Sequence, residues 1–390
     1  MLLEGTFPMP DKRVRLAILG TRGIPARYGG FETFAEELSV HLTSAGVYVA
    51  VFCERGEGEQ PATYRGVRIE YISSPHLGPL TTILFDLFCL WRARKGYDVV
   101  YMLGYGASIF CFLPRLWHST VWINMDGVEW KRSKWNLIAK WYLRFMEAAA
   151  MRTANRVIAD AEGIRTFLRA RHGGGTPCSV IPYGAPIVER APDISLLASW
   201  DLKPREYYLV VCRLEPENHV LEVVKGYCGS ADPAPLVIVG DTRMDTAYVR
   251  SLLALRDDRI RFIGTVYEKN KLNALRYYCK AYFHGHSVGG TNPSLLEALG
   301  CGNIVLAHDN VFNREVAAEA GIYFRAAEDI PALIREIESL DDRERSQWAD
   351  RARHRIKNYY NWDAVTKKYL DFLQSDSTAP DAHGVPERER

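Results

Sequence analysis

The chain has 390 residues, enough for two domains that each bury a core. Its 49 Lys and Arg residues nearly balance its 47 Asp and Glu residues. The resulting net charge of +2 does not favour a nucleic-acid-binding protein, which usually has a strong basic excess. The eight cysteines include no CxxC pair, which excludes the common zinc and redox motifs and is typical of reduced thiols in a cytoplasmic protein.

No segment has the pattern of a membrane-targeting or membrane-spanning sequence. The N-terminus carries Glu4 and lacks a long apolar core, so we do not expect a signal peptide. The most apolar stretch, 77–91, is interrupted by Pro79 and Asp86 and is shorter than the ~20 residues that a spanning helix needs. The segment 376–390 has no apolar periodicity and is predicted to be a disordered tail.

Short apolar runs alternate with helical patterns along the whole chain. In the first half, strands are predicted at 14–20, 47–54, 67–73, 98–104, 120–126 and 156–160. In the second half, they are predicted at 207–214, 234–241, 259–266, 280–287 and 303–309. Continuous apolar strands separated by helices are typical of parallel sheets covered on both faces. The sequence therefore predicts two doubly wound α/β domains, joined near 183–193. Ligands of such sheets bind beyond the carboxyl ends of the strands.

A glycine-rich loop follows the first predicted strand. Gly29 and Gly30 stand directly before a helix whose apolar residues recur at helical spacing. Such a turn presents N–H groups and the positive end of the helix dipole to an anion, although a tight turn with positive φ would also favour glycine. The loop does not fit the G-x-G-x-x-G fingerprint, which weakens the alternative of a dinucleotide-dependent oxidoreductase.

The second half repeats this arrangement more strongly. Arg213 follows a strand and is a fixed cation that could neutralise a diphosphate or simply form a surface ion pair. Another Gly-Gly loop leads into a helix with Pro293 at its first turn, a position where the missing N–H of proline costs little. Glu297 lies one turn inside that helix, where it could accept hydrogen bonds from two sugar hydroxyls.

Taken together, these motifs resemble the retaining glycosyltransferases of family four, which have the GT-B fold. The matching pieces are Gly29-Gly30-Phe31-Glu32, Arg213-Leu214 and the second glutamate of a paired E-x7-E motif, here Glu297. A wider set of motifs resembles one branch of this family, which contains bacterial rhamnosyltransferases of capsule, O-antigen and cell-wall polysaccharide assembly. These motifs are "GTRGIPARYGGFET", "NMDGVEWKR", "RLEPEN" and "HSVGGTNPSLLEA". Two positions depart from the family pattern, with Gly289 in place of the first glutamate and Asn218 in place of a lysine.

The resemblance implies four segments. These are a Rossmann-like acceptor domain at 11–187, a Rossmann-like nucleotide-sugar domain at 188–357, a helix at 358–375 that crosses back to the first domain, and the tail at 376–390. It also implies retention of configuration, no cofactor and no metal. We expect Arg213 and backbone amides to carry the diphosphate charge, and no D-x-D motif stands where a metal clamp would need it.

The resemblance also assigns roles to individual residues. The expected donor-binding residues are Gly29, Gly30, Arg213, Asn218, Thr265, Val266, Gly290, Thr291, Asn292 and Glu297. The expected acceptor-binding residues are Tyr105, Asp126 and Glu129. Asp126, Arg213 and Glu215 are the catalytic candidates, although Asp126 could equally cap the following helix, and Asp160 is a lesser candidate.

Segment 131–152 is basic and aromatic, a composition that suits either a helix resting on anionic lipid or an ordinary amphipathic helix. Its basic residues include Lys131, Arg132, Lys134, Lys140 and Arg144, and its aromatic residues include Trp135, Trp141, Tyr142 and Phe145. In the related branch the acceptor is attached to polyprenyl diphosphate, which favours a cytoplasmic enzyme peripheral on the inner membrane face. The expected partners are therefore a nucleotide sugar, a lipid-linked saccharide and the membrane.

Alternatives remain open at this point. The donor could be dTDP-rhamnose or another nucleotide sugar such as UDP-glucose or UDP-GlcNAc. The departures at Asn218 and Gly289 also allow a non-catalytic subunit that binds a sugar nucleotide without turnover.

Overall fold

The computed structural model describes residues 13–26, 29–56, 58–75, 77–78, 80–125, 127–132 and 135–377. Asp126, Lys134 and most of the predicted tail lie outside these residues. Within them, two sheets lie one after the other along the chain, which confirms the predicted pair of doubly wound α/β domains.

The first sheet has eight strands in the order β3-β4-β2-β1-β5-β6-β7-β8. Its strands are β1 Arg15–Leu19, β2 Tyr48–Glu54, β3 Thr63–Tyr64, β4 Val67–Ile72, β5 Val99–Leu103, β6 Thr120–Met125, β7 Arg156–Ala159 and β8 Cys178–Val180. Its helices are α1 Gly30–Ser44, α2 Leu80–Ala93, α3 Phe112–Arg115, α4 Leu137–Thr153 and α5 Glu162–His172. All neighbouring strands run parallel except β3 and β4.

The second sheet has six parallel strands in the order β11-β10-β9-β12-β13-β14. Its strands are β9 Tyr208–Val211, β10 Leu236–Val239, β11 Ile260–Gly264, β12 Tyr282–His284, β13 Val305–His308 and β14 Gly321–Phe324. The helices are α6 Val220–Cys228, α7 Ala247–Leu253, α8 Lys269–Tyr278, α9 Pro293–Gly300, α10 Val311–Ala317, α11 Ile330–Ser339, α12 Asp342–Tyr359 and α13 Trp362–Ser377.

The central strands are apolar on both faces because helices cover both sides of each sheet. In β1, Leu16 and Ile18 join one core cluster while Ala17 and Leu19 join another, and all four are fully buried. This explains why the strands appear in the sequence as continuous apolar runs without polar alternation.

The last helix, α13, packs on the sheet of the first domain. The hydroxyls of Tyr369 and Tyr101 are 2.9 Å apart, and Trp122 Nε1 donates to Asp376 at 2.8 Å. Arg156 forms an ion pair with the same carboxylate at 2.8 Å. The helix continues to Ser377, two residues into the segment predicted as a tail. Tertiary partners such as Arg156 order this end of the chain, although its own sequence has no apolar periodicity.

Candidate active site

The carboxyl ends of β9, β11 and β12 lie on one edge of the second sheet, facing the first domain. Arg213 follows β9, Thr265 and Val266 follow β11, and the loop 285–292 follows β12 and leads into α9. Ser294 Oγ, in the first turn of α9, donates to the carbonyl of Val211 at 3.1 Å. The fold therefore places Arg213 and the start of α9 side by side.

Asn218, at the expected lysine position, positions the backbone instead of supplying a charge. Its Nδ2 donates to the carbonyl of Arg213 at 2.7 Å, and its Oδ1 lies 2.7 Å from Nδ1 of His286. Both contacts are intramolecular, and the Asn218 side chain is buried. It therefore connects the loop that carries Arg213 to the loop that follows β12.

Arg213 belongs to a chain of alternating charges that crosses between the domains. It is 53% exposed and lies 3.5 Å from Glu215. Glu215 also lies 3.7 Å from Arg132 of the first domain, which pairs with Glu129 at 2.7 Å. Tyr105, another expected acceptor residue, accepts a hydrogen bond from the Glu129 amide at 2.9 Å. Two glutamates balance the two arginines, so an anion arriving here would compete with Glu215 for Arg213.

Glu297 has a buried cationic partner that the sequence did not indicate. Arg276 Nη2, from α8, lies 2.7 Å from Glu297 Oε2 and 3.1 Å from Ser294 Oγ. The Glu297 side chain remains 29% exposed, whereas Arg276 is 2% exposed. The pairing fixes one carboxylate oxygen and orients the group toward a small cleft that Thr33 of α1 also lines.

The loop before α9 has fewer available N–H groups than expected. The Thr291 N–H, assigned to a diphosphate on sequence grounds, donates at 2.8 Å to Asp160, which follows β7 of the first domain. Asn292 caps α9 by accepting from the Ser294 N–H at 2.9 Å. Gly290 packs so closely on Asp160 that a Cβ would overlap the carboxylate. In this arrangement Asp160 takes the position that the expected diphosphate contact with Thr291 requires.

Gly29 and Gly30 do not adopt the left-handed conformation that a tight turn would require. Gly29 has φ of −153°, an extended conformation open to any residue, and Gly30 begins α1. A Cβ on Gly30 would lie 3.6 Å from Pro293 Cγ, at the start of α9. Gly30 therefore faces the second-domain loop, whereas a Cβ on Gly29 would lie 2.9 Å from Oε2 of Glu32 in α1. Neither glycine is required by a left-handed turn.

Further contacts across the cleft hold the two domains together. Lys269 of α8 lies 3.0 Å from Glu36 and 2.8 Å from Glu37 of α1. Burial acts to raise the pKa of Glu36, but the Ala26 amide and Lys269 outweigh it and leave that pKa lowered. Glu315 of α10 accepts the N–H of Glu162 at 2.7 Å, at the start of α5. None of these pairs could be found from spacing, because each joins residues distant in sequence.

Segment 131–152 differs from its predicted surface role. The helix α4 begins only at Leu137, and Arg132 turns inward to Glu129 and Glu215. Trp135 is also directed inward and donates to Glu129 at 3.1 Å, and Tyr142 donates to the Gly106 carbonyl at 2.6 Å. Of the residues nominated for lipid contact, Lys131, Trp141 and Phe145 are exposed. The composition of the segment could not predict which of its side chains point into the protein and which point to solvent.

Two family models match the chain, one on each domain. Residues 13–186 match the model described as Domain of unknown function (DUF1972), and residues 198–355 match Glycosyl transferases group 1. No curated protein sequence matches the chain.

Solved structures of glycosyltransferases are similar over nearly the whole chain. Sucrose-phosphate synthase from Thermosynechococcus elongatus is 19% identical with a TM-score of 0.78, covering 93% of this chain and 99% of that one. HepE of Anabaena, solved with UDP-glucose, is 16% identical with a TM-score of 0.74, covering 93% and 100%. A glycosyltransferase from Rickettsia africae is 15% identical with a TM-score of 0.70, covering 95% and 100%. The chain thus has the GT-B fold and carries a glycosyl transferases group 1 domain at residues 198–355.

Proposed function

We propose that this chain is a retaining, metal-independent hexosyltransferase of bacterial surface polysaccharide synthesis. It transfers a sugar from a nucleoside diphosphate donor, with dTDP-rhamnose as the first candidate, onto a polyprenyl-diphosphate-linked saccharide. The observation that carries the proposal is the placement of Arg213 beside the start of α9, within the part of the chain that matches glycosyl transferases group 1. The choice of rhamnose rests on the sequence resemblance.

In this proposal, the second domain binds the donor. Arg213 neutralises the diphosphate as negative charge develops on the leaving group, which is the kind of preorganised contact that lowers a transition-state barrier. Glu297, oriented by Arg276, accepts hydrogen bonds from the ribose hydroxyls. Thr265 and Val266, after β11, flank the base. The acceptor oxygen attacks from the side of the leaving group, assisted by a diphosphate oxygen, which retains the anomeric configuration.

The acceptor comes from the side of the first domain. Tyr105 and Glu129 stand near the seam between the domains, and Glu129 is joined to Glu215 through Arg132. Asp126, proposed to orient the acceptor hydroxyl, lies outside the described residues. Gly127, next in the chain, is in contact with the second domain at Gly289. This contact places Gly127 at the donor side of the cleft.

The first domain also has a surface suited to a lipid bilayer. Large apolar side chains are exposed on three neighbouring segments, α2, 109–117 and α4; Leu137, Ile138 and Trp141 of α4 are 78%, 80% and 70% exposed. We define the apolar face as Leu80, Phe88, Trp91, Ile109, Phe112, Leu116, Trp117, Leu137, Ile138, Trp141 and Phe145. Exposed apolar patches of this kind mark interaction sites.

Basic groups accompany this apolar face. The Arg94 guanidinium lies 3.8 Å from the ring centre of Trp91, and Lys95 lies 5.8 Å from that of Trp117. Arg144, on α4, lies 6.0 Å from Trp141. Apolar and aromatic side chains with a cationic rim suit an anionic bilayer surface. Among the described residues, no helix is both long and apolar enough to cross a bilayer. On the strength of the exposed apolar face and its cationic rim, we propose peripheral binding, with apolar insertion as the main contribution and charge attraction as the smaller one.

A donor screen tests the proposal. Thermal unfolding would be followed with dTDP-rhamnose, UDP-glucose, UDP-GlcNAc and GDP-mannose, each beside its nucleoside diphosphate. A ligand at 100 times its Kd should stabilise the protein by about 2.7 kcal/mol. Stabilisation by dTDP-rhamnose above the others supports the first candidate. Preference for UDP-glucose, the sugar nucleotide in the HepE structure, would move the proposal to that donor. No response to any sugar nucleotide would contradict it.

The non-catalytic alternative rests on the same two departures, Asn218 and Gly289. The structure gives both residues intramolecular roles, since Asn218 holds the Arg213 loop and Gly289 packs against Gly127. Turnover distinguishes the two functions. A binding subunit would bind the donor and release no nucleoside diphosphate in the presence of lipid-linked acceptor, whereas the proposed enzyme would release one per sugar transferred.

A further inference from the structure

His286 is placed between the Arg213 loop and the first domain. Its Nδ1 lies 2.7 Å from Oδ1 of Asn218, whose Nδ2 donates to the Arg213 carbonyl at 2.7 Å. Because Nδ2 is the donor to that carbonyl, Oδ1 acts as an acceptor, and the ring proton of a neutral His286 must be on Nδ1. Its Nε2 is then a hydrogen-bond acceptor.

The Nε2 atom lies beside the seam between the domains. It is 3.0 Å from the position that a Cβ on Gly289 would occupy. Gly289 has φ of +138°, and a Cβ on Gly127 of the first domain would lie 2.8 Å from the Gly289 Cα. Only glycine suits a position with this φ and so close a backbone neighbour. The imidazole therefore takes up space that a side chain at 289 would otherwise fill.

The ring is held rigidly and remains neutral. The His286 carbonyl accepts from Asn310 at 3.0 Å and from Asn313 at 2.9 Å, which fixes the backbone beneath the ring. Burial lowers the pKa of His286 well below its usual range, and the charges of His284, Arg132 and Arg213 lower it further, whereas a hydrogen bond with the Val288 backbone acts in the opposite direction without reversing the shift. At neutral pH, Nε2 is thus an uncharged acceptor on a fixed ring.

We propose that Nε2 of His286 accepts a hydrogen bond from a hydroxyl of the transferred sugar and so contributes to donor specificity. The inference rests on the proposed function, in which Arg213 holds the diphosphate. One edge of the ring, at Nδ1, is linked through Asn218 to the Arg213 backbone. The opposite edge, at Nε2, lies near Gly289, where the second domain meets Gly127 of the first. A sugar attached to that diphosphate and directed toward an acceptor on the first domain would pass beside Nε2.

Matched ligands with and without the sugar test this role. Titration calorimetry would compare dTDP with dTDP-rhamnose, and UDP with UDP-glucose, for the wild type, His286→Ala and the gentler His286→Gln. His354→Gln is the control, because His354 is an exposed histidine on α12. Losing a neutral hydrogen bond should weaken sugar-nucleotide binding by roughly 10-fold in His286→Ala. Binding of the nucleoside diphosphate alone should change less than twofold.

Each other outcome has a distinct meaning. Equal loss for the sugar nucleotide and the nucleoside diphosphate would show that His286 acts through Arg213, and would overturn the sugar contact. Unchanged binding and kcat/KM in both His286 variants would overturn it as well. If His286→Ala does not fold, the binding comparison is made with His286→Gln, whose folding is checked by measuring its Tm. Failure of the wild type to bind any nucleotide would instead contradict the proposed function itself.

Discussion

The two domains have the same layered construction, but they expose different chemistry. On the second domain, the described edge that faces the cleft presents Arg213 and Glu297, both tied into networks of buried polar groups. Its exposed large apolar side chains, such as Met244 and Tyr267, come from separate segments. On the first domain, by contrast, such side chains gather into the apolar face on α2, 109–117 and α4.

This difference indicates a division of roles between similar folds. A parallel sheet supplies a ligand-binding edge in either domain. What distinguishes the domains is the surface away from that edge, because scattered apolar residues are ordinary on soluble proteins whereas a gathered face needs a partner. The donor would then be bound by the second domain, and the lipid-linked acceptor would reach the cleft from the side of the first.

The donor half of this comparison depends most on Arg213. Arg213→Ala should lower kcat/KM by roughly 10²- to 10³-fold, since that is the typical loss when one preorganised contact to developing charge is removed. Steady-state kinetics would measure the effect. Arg250→Ala is the matched control, because Arg250 is also exposed and paired with a carboxylate, Asp245 at 3.2 Å, in the same domain. Near-normal turnover of Arg213→Ala would show that the diphosphate binds elsewhere.

The approach of the two domains depends on Gly30. In Gly30→Ala the new Cβ would make an ordinary contact with Pro293, whereas the branched side chain in Gly30→Val would hold the walls apart. Because a misplacement of about 1 Å can cost ~10²-fold in rate, Gly30→Val should lose about that much kcat/KM with little change in Tm. Gly174→Val is the control, since a Cβ there has no neighbour within 4 Å. A Gly30→Val variant that is destabilised but fully active would show that Gly30 serves the local backbone turn and not the approach of the two domains.

The membrane half of the comparison depends on the exposed side of α4. Replacing Leu137, Ile138, Trp141 and Phe145 by Gln should lower partitioning onto vesicles of mixed neutral and anionic lipid by at least about 100-fold, because full burial of each apolar side chain is worth about 1.5–3 kcal/mol and even partial insertion of four of them exceeds the contribution of two charges. Neutralising Lys140 and Arg144 should have a smaller effect, at about 1 kcal/mol for each charge. Co-sedimentation with vesicles would measure both. A larger loss from the charge variant would reverse the proposed order.

Chelation should have the smallest effect. We expect transfer to continue unchanged in excess EDTA, because Arg213 is proposed to carry the diphosphate charge. Release of nucleoside diphosphate is the measurement, with and without EDTA. Activity that disappears on chelation and returns with Mg²⁺ or Mn²⁺ would refute the metal-independent mechanism.

The sequence predicted the sheets well because buried parallel strands are continuous apolar runs. It missed β3, β8 and β14, which are short strands at the edges of the sheets and are only partly buried, so they do not show the pattern of a fully buried strand. In the candidate site, Arg213 and the loop before α9 follow strands, as the sequence predicted, and their role in binding stays a prediction. The sequence could not reveal Arg276 beside Glu297 or Asp160 beside Thr291, because such contacts depend on how helices and domains pack.

The basic segment shows the same limit. Its composition indicated a charged surface, but Arg132 and Trp135 turn inward to Glu129 before α4 begins. Leu137 and Ile138 are the most exposed large apolar residues among those that the structure describes, but the sequence did not predict that they would be exposed. The direction of a side chain depends on where a helix begins, and helix boundaries are the least certain part of a sequence-based prediction.

Hydrogen–deuterium exchange of the full chain, with two ligands added separately, tests the division of roles most directly. A sugar nucleotide should protect 211–218, 264–266 and 285–292 of the second domain and leave the peptides of α4 unchanged. Anionic vesicles should protect α2, 109–117 and α4 while leaving those second-domain peptides unchanged. Protection of α4 by the nucleotide without vesicles, or of the second-domain edge by vesicles alone, would contradict the assignment of donor and membrane to different domains.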